Sequence, residues 1–259
     1  MMQRTMTMLT VALLLGGTTL SALRAQDTGA STITAARKIA AEATGLKGPM
    51  RDKFLEEALT VLQQVDERFP EDEKSRARAA LETGRLQKRL GRPEKAVLAF
   101  EAAAAFSKEK NVASDALLDL SAVHRQTKDL RAAEAALRRL LTAYPDQERD
   151  HAEALIRLAS IQRQRKEWSL AEESLRICME THGNLWRYAV EALDDLVSMK
   201  IQNKDLEGAR KDLEQGSAAI ASRHENTSEE IKVLAALEKM GSRGRLVRAE
   251  SKVGPGGRP

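Results

Sequence analysis

The 259-residue sequence holds one cysteine, Cys178, so no disulfide can form within the chain. Aromatic residues are almost as scarce, with two Trp, two Tyr and four Phe making up 3% of the total. A core without aromatic bulk must be built from Ala, Leu, Ile and Val, which suits closely packed helices. Breakers are few, with six Pro, and the charged 31% covers the outer faces that such helices leave in water. Catalytic signatures are missing as well. The four histidines, His124, His151, His182 and His224, are scattered, and there is no HExxH, no Gly-rich phosphate loop and no GxSxG elbow. Cys178 and His182 stand four apart on one helix face, but two ligands rarely make a metal site. Neither metal nor cofactor is expected. No stacking series for single-stranded nucleic acid is present, and Cys178 reads as a small buried apolar residue.

What is present begins with an apolar stretch, TMLTVALLLGGTTLSAL, preceded by Arg4 and followed by Ala25 at a position suited to cleavage. The stretch is short and Thr-rich beside the ~20 residues of a spanning helix, which favours a signal peptide over residues 1–25; a retained anchor over residues 8–23 is the alternative. No cysteine follows it to carry a lipid. The chain is basic, with a sequence pI near 9.2, but the excess sits at its ends. Arg4 and Arg24 precede residue 26, and the stretch 242–259 holds Arg243, Arg245, Arg248, Lys252 and Arg258 against Glu250. The body between them carries 35 basic and 37 acidic residues, so attraction of the whole molecule to nucleic acid is not expected. Residues 242–259 have the composition of a disordered basic tail. Such a tail is either a plain solvated terminus or a weak contact for anionic lipid or polymer.

Between these ends the sequence counts. FLEEALTVL at Ala58, PEKAVLAF at Ala96, LRAAEAAL at Ala133, SLAEESL at Ala171 and LEGARKDL at Ala209 repeat one Ala-centred phrase at separations of 38, 37, 38 and 38 residues. A fixed period of this size marks stacked helical repeats, each burying its apolar face against its neighbours. Punctuation agrees. ALETGRLQKRL stops at Gly91 and Pro93 opens the next helix, while Asp129 and Asp205 precede the later phrases as N-caps. Glu167 and Ser169 occupy that region in the fourth unit. In the helix opened by Pro93, Ala96, Phe100, Ala103 and Ala104 form one apolar stripe.

These units resemble tetratricopeptide repeats over roughly Ser31 to Ser222. Small residues stand at the family's eighth position (Gly84, Ser121 and Ala159) and Ala at its twentieth in all five units. Apolar groups stand at the twenty-fourth (Leu62, Phe100, Leu137, Leu175 and Leu213), and Pro70 and Pro145 close two units. The departures are a period longer than the family's ~34 residues, Val197 at the eighth position of the last unit, and a loosely matching first helix. The resemblance implies an all-α fold: a right-handed α-solenoid of about five helical hairpins over residues 26–241, closed by a capping helix in TSEEIKVLAALEKM that opens with Thr227 or Ser228.

It also implies a function. In that family the first helices of the hairpins line a concave groove, which here would carry Leu81, Leu118 and Ile156 as an apolar row. Lys88, Arg125 and Arg163 would form a basic row beside it, with Arg85 and Arg157 nearby and Asp194 and Ile201 continuing the rows. Such a surface suits a peptide or protein partner with apolar anchors and acidic groups. The alternative is an ordinary solvated face, partly neutralised by Asp119 and Glu153. The Asn of the family's carboxylate clamp is absent at the ninth position, where Arg85, Ala122, Ser160 and Ser198 stand. Trp168, Trp186 and Tyr188 read as packing residues. The expectation is a non-catalytic scaffold or adaptor, exported to a bacterial periplasm or another extracytoplasmic space; a membrane-anchored accessory subunit of an envelope, secretion or pilus assembly machine is the alternative.

Overall fold

The computed structural model describes residues 28–225 together with Thr227, Glu229, Glu230, Lys232, Ala235 and Met240. The expected signal peptide, the basic tail and much of the expected capping helix lie outside the described residues. Ten helices and no strand occur among the described residues. They are α1 (Gly29–Glu42), α2 (Gly48–Arg68), α3 (Glu73–Arg89), α4 (Pro93–Ala104), α5 (Lys110–Gln126), α6 (Leu130–Ala143), α7 (Glu148–Gln164), α8 (Trp168–Thr181), α9 (Trp186–Gln202) and α10 (Leu206–His224). In chain order they form five helical hairpins.

The long period has a local origin. The first helices α3, α5, α7 and α9 are each 17 residues long, and α6 and α8 are each 14. Only α4 is shorter, at 12 residues, and with the longer loop that follows it this gives the single step of 37. The turns inside the last four hairpins are the same device. Gly91, Lys128, Lys166 and Lys204 all have positive φ, of 72°, 65°, 62° and 62°. At each, the amide of the αL residue donates to a carbonyl three residues back, and the next amide donates to one five back, as in Asp129 N to His124 O at 2.9 Å. This is the Schellman motif that ends a helix on a left-handed residue. The second helix then starts at once. Pro93 fills the first turn of α4, and the Asp129 and Asp205 carboxylates accept from the amides of Ala132 and Gly208 at 3.0 and 2.9 Å. Glu167 occupies the equivalent place without a side-chain cap.

Two compact units divide the chain, residues 1–116 and 117–259, with the boundary inside α5. In the first, Ile33, Ala36 and Ala40 of α1 pack with Leu55, Leu59 and Leu62 of α2 and with Ala79 and Leu86 of α3. In the second, Ala152, Leu155 and Ile156 of α7 pack with Leu175 and Cys178 of α8 and with Leu196 and Met199 of α9, against which Trp168 lies half-buried. A further cluster joins Leu193 and Val197 of α9 to Ala209 and Ile220 of α10 and to Met240. The five repeat alanines are all at 0% exposure. Leu62, Phe100, Leu137 and Leu175 are buried with them, whereas Leu213, in the last hairpin, is only partly so.

A charged knot also ties α8, α9 and α10. Arg176 Nη2 lies 2.8 Å from both Glu172 Oε1 and Asp212 Oδ1. Lys200 Nζ lies 2.8 Å from Asp212 Oδ2 and 3.3 Å from Glu172 Oε1. Asp212 is buried, at 6% side-chain exposure, and its pairing with both cations offsets a charge that would be costly if left alone.

Candidate partner-binding cleft

The eight residues expected to line a groove fall three in the first unit and five in the second. The apolar row is largely not open surface. Leu81, Leu118 and Ile156 are buried, at 4, 5 and 7% exposure. Small residues at the eighth position let the helices close in, and apolar side chains on the shared face are taken out of water. The basic row is more accessible but is mostly matched within the protein. In the first unit Arg85 pairs with Glu82 at 3.3 Å and with Asp115 at 3.2 Å, and Lys88 Nζ stands 5.8 Å from the centre of the Phe100 ring. In the second, Arg163 pairs with Asp195 at 3.5 Å. Arg157 pairs with Glu153 one turn earlier on α7 and donates from Nη1 to the Leu118 carbonyl of α5 at 2.8 Å. Arg125 is exposed and shares a small hollow with Arg157, Ser121, Ala122 and Ile161.

A concavity of about 590 Å³ lies between α7 and α9. From α7 come Arg149, Glu153, Ile156 and Arg157; from the loop into α9 and its first turns come Asn184, Leu185, Trp186, Arg187, Tyr188 and Glu191; Glu229 completes the lining. Two of the eight expected residues, Ile156 and Arg157, are therefore brought together here, and Arg163 stands two turns further along α7. The others line no part of this cleft.

Trp186 and Tyr188 begin the first helix of their hairpin. Packing was the role expected of them, and both do pack partly against the neighbouring cores. They also line the cleft, which sequence reading missed. The available signal was compositional, since one of only two Trp and one of only two Tyr fall within three residues of each other. Arg187 sits over the Trp186 ring at 5.9 Å, a cation–π geometry that holds both side chains at the rim.

The electrostatics of the two walls differ. On α7, Arg149, Arg157 and Arg163 alternate with Glu153. On α9, Glu191, Asp194 and Asp195 cluster. Partial loss of water, followed by the carboxylates of Asp195 and Glu153, raises the Glu191 pKa, with Arg157 opposing. Burial likewise raises Asp195, and Arg163 opposes it. The cleft thus combines an apolar and aromatic set, Ile156, Leu185, Trp186 and Tyr188, with side chains of both charges. Among the described residues no group of three or more His, Cys, Asp or Glu is arranged to hold a metal ion. Cys178 donates to the Ala152 carbonyl at 3.7 Å, while His182 engages His151.

Repeated helical hairpins, four of them closed by the same turn, with a cleft between consecutive first helices, give an all-α repeat fold of tetratricopeptide-like architecture. Comparison with known proteins agrees. Residues 115–146 match the sequence profile of the tetratricopeptide repeat. Among solved structures, TPR-like repeats of a Podosopora anserina protein described as a kinesin light chain superpose with a TM-score of 0.53 at 16% identity, over 78% of this chain and 100% of that one. MamA from Desulfovibrio magneticus RS-1 matches with a TM-score of 0.49 at 17% identity, over 76% and 98% of the two chains. BtubC from P. vanneervenii matches at 0.47 and 16%, over 90% and 96%. No curated protein matches the sequence. The resemblance read from the repeat residues and the all-α repeat fold it implied are both borne out.

Proposed function

We propose that the chain is a non-catalytic protein-binding scaffold whose partner docks in the cleft between α7 and α9. One observation carries this reading. In a protein with 3% aromatic residues, Trp186 and Tyr188 line one cleft with Arg149, Arg157 and Arg187. Trp, Tyr and Arg are the residue types that dominate binding energy at protein interfaces, because they combine large contact area with directed polar groups. The partner that fits is a peptide segment with an apolar side chain to set against Trp186, Leu185 and Ile156. Beside it, one or more carboxylates would reach the exposed Arg149 and Arg187. The tetratricopeptide-like fold supports a scaffold role in general terms.

The scaffold works in an extracytoplasmic compartment, delivered by the signal peptide in residues 1–25. The apolar run TMLTVALLLGGTTLSAL supports this reading and also its alternative, an accessory subunit held in the membrane by residues 8–23. Mass measurement of the N-terminus of the protein purified from its native host separates them. A start near Gln26 supports the first and an intact N-terminus the second.

The binding site is tested by the double variant Trp186→Ala, Arg187→Glu in affinity co-purification from the native host. The proteins recovered with the parent chain are expected to be lost from the variant while its helical circular dichroism is unchanged. Equal recovery by both would place the docking surface elsewhere.

A further inference from the structure

His151 in the first turn of α7 and His182 at the end of α8 are 31 residues apart, yet Nδ1 of the first and Nε2 of the second lie 2.8 Å from each other. The rings meet with centroids 4.9 Å apart at an interplanar angle of 57°, and His182 is buried. A hydrogen bond between two imidazoles needs one ring nitrogen to donate and the other to accept. His151 also bonds the Leu141 carbonyl of α6. With Nδ1 engaged by His182, that bond falls to its Nε2–H, and Nδ1 is left as the acceptor for the His182 N–H. The chain Leu141 O, His151, His182 thus fixes both tautomers. One added proton is accommodated on the outer nitrogen of His182. A second protonates His151 Nδ1, and two imidazolium N–H groups then face each other with no acceptor between them.

The location gives this chemistry a consequence. His182 is followed directly by Gly183, Asn184, Leu185 and Trp186, and the last three are cleft-lining residues. We propose that His151 and His182 form an acid-sensitive latch: neutral, they clasp the start of α7 to the end of α8 and hold the Asn184–Trp186 wall of the cleft; doubly protonated by solvent, they part and that wall loosens. The surroundings favour the neutral pair. Burial lowers the proton affinity of both rings, His151 further disfavours charge on His182, and the Leu141 carbonyl opposes the shift at His151. From α10, Arg223 Nη1 donates to the Met179 carbonyl at 2.6 Å and His224 Nε2 bonds the Gly183 carbonyl at 3.0 Å, so both residues also face the segment that follows His182. Glu148 of α7 raises the proton affinity of His182 but is also 3.4 Å from the Asn184 amide. On α8 the Cys178 thiol, pushed up to about 12 by burial, stays neutral, and Arg149 adds positive charge beside Asp150 in the same turn of α7. Release of a bound partner on acidification rests on the cleft being the docking surface; the latch is tested without any partner.

The experiment uses the full chain carrying Trp168→Phe, so that Trp186 is the sole fluorescent indole. Histidine ring resonances and Trp186 emission are followed from about pH 8 to about pH 4.5, spanning the ordinary imidazole range. The latch requires that His151 and His182 titrate in two linked steps. Trp186 emission should shift with the second step while helical circular dichroism is retained. It further requires that His151→Gln, whose side chain can still accept from His182 but takes no proton, abolishes that emission step. Emission that ignores the titration, an identical step in His151→Gln, independent titration of the two rings, or global loss of helix at the second step would each overturn it.

Discussion

Gly84 on α3 and Phe100 on α4 fit each other as a missing side chain and an oversized one. A Cβ built on Gly84 would stand 2.5 Å from both Cδ1 and Cε1 of the Phe100 ring. In the next two hairpins the same two positions hold Ser121 with Leu137 and Ala159 with Leu175. Where the twenty-fourth position takes its largest occupant, the eighth therefore takes its smallest. Gly84→Ala is expected to destabilise the protein. Overpacking costs about 1–3 kcal/mol, more than the ~0.5–1 kcal/mol that removing a glycine from a helix interior returns. Adding Phe100→Leu should restore most of the loss, and thermal melts of the two single variants and the double variant measure that coupling.

The αL lysines make the opposite prediction. Lys128, Lys166 and Lys204 adopt the conformation that Gly91 adopts in the second hairpin, and a side chain there costs on the order of 1 kcal/mol. Changing any one to Gly should raise the thermal midpoint, and Gly91→Ala should lower it. A lower midpoint for all three lysine variants would mean that their side chains contribute more than the turn geometry shows.

Asp212 links stability to pH. Burial opposes its charge, but the hydrogen bonds from Lys200 and Arg176 prevail and hold its carboxyl below the usual value. A carboxyl depressed in the folded state stabilises fully above its unfolded pKa, near 3.9, and that contribution is lost as pH falls through the lower folded value. Asp212→Asn should therefore flatten the acid limb of the stability profile below about pH 4. At neutral pH, Asp212→Ala should cost on the order of 2–3 kcal/mol. This is less than for a fully buried pair, because the Arg176 side chain is 40% exposed. Urea melts across the pH range give both numbers.

Cys178 should be chemically silent while the protein is folded. It is at 0% exposure, with its thiol pushed up to about 12, and only the thiolate reacts. Alkylation in native buffer should proceed at the rate of local or global opening, far more slowly than in denaturant. Rapid native labelling would show that the α7–α9 core opens readily.

Much of the fold was legible in the sequence because the constraints that set it are local. The five alanines, the Pro93 and Gly91 punctuation and the Asp129 and Asp205 caps each act within one turn of the residues they fix. The Lys turns were less so, since nothing in a lysine announces a positive φ. The cleft was legible only in part. Arg157 and Ile156 were found by register, while Leu81 and Leu118, expected to line a groove with them, are buried and line no part of this cleft. Trp186 and Tyr188 pack and line the cleft together, and helical periodicity does not separate those roles. The His151–His182 pair was invisible, because its partners lie on different helices and meet only where α7 passes the end of α8.

The central claim, that a partner occupies the α7/α9 cleft, is tested most directly by site-specific photo-crosslinking in the native host. A crosslinking residue in place of Arg187 is compared with one in place of Leu98, which is 71% exposed on α4 and outside the cleft. The account predicts a discrete crosslinked species from position 187, lost when Trp186→Ala is added, and none from position 98. Crosslinks from 98 alone, or from 187 with unchanged yield in the Trp186→Ala background, would contradict it.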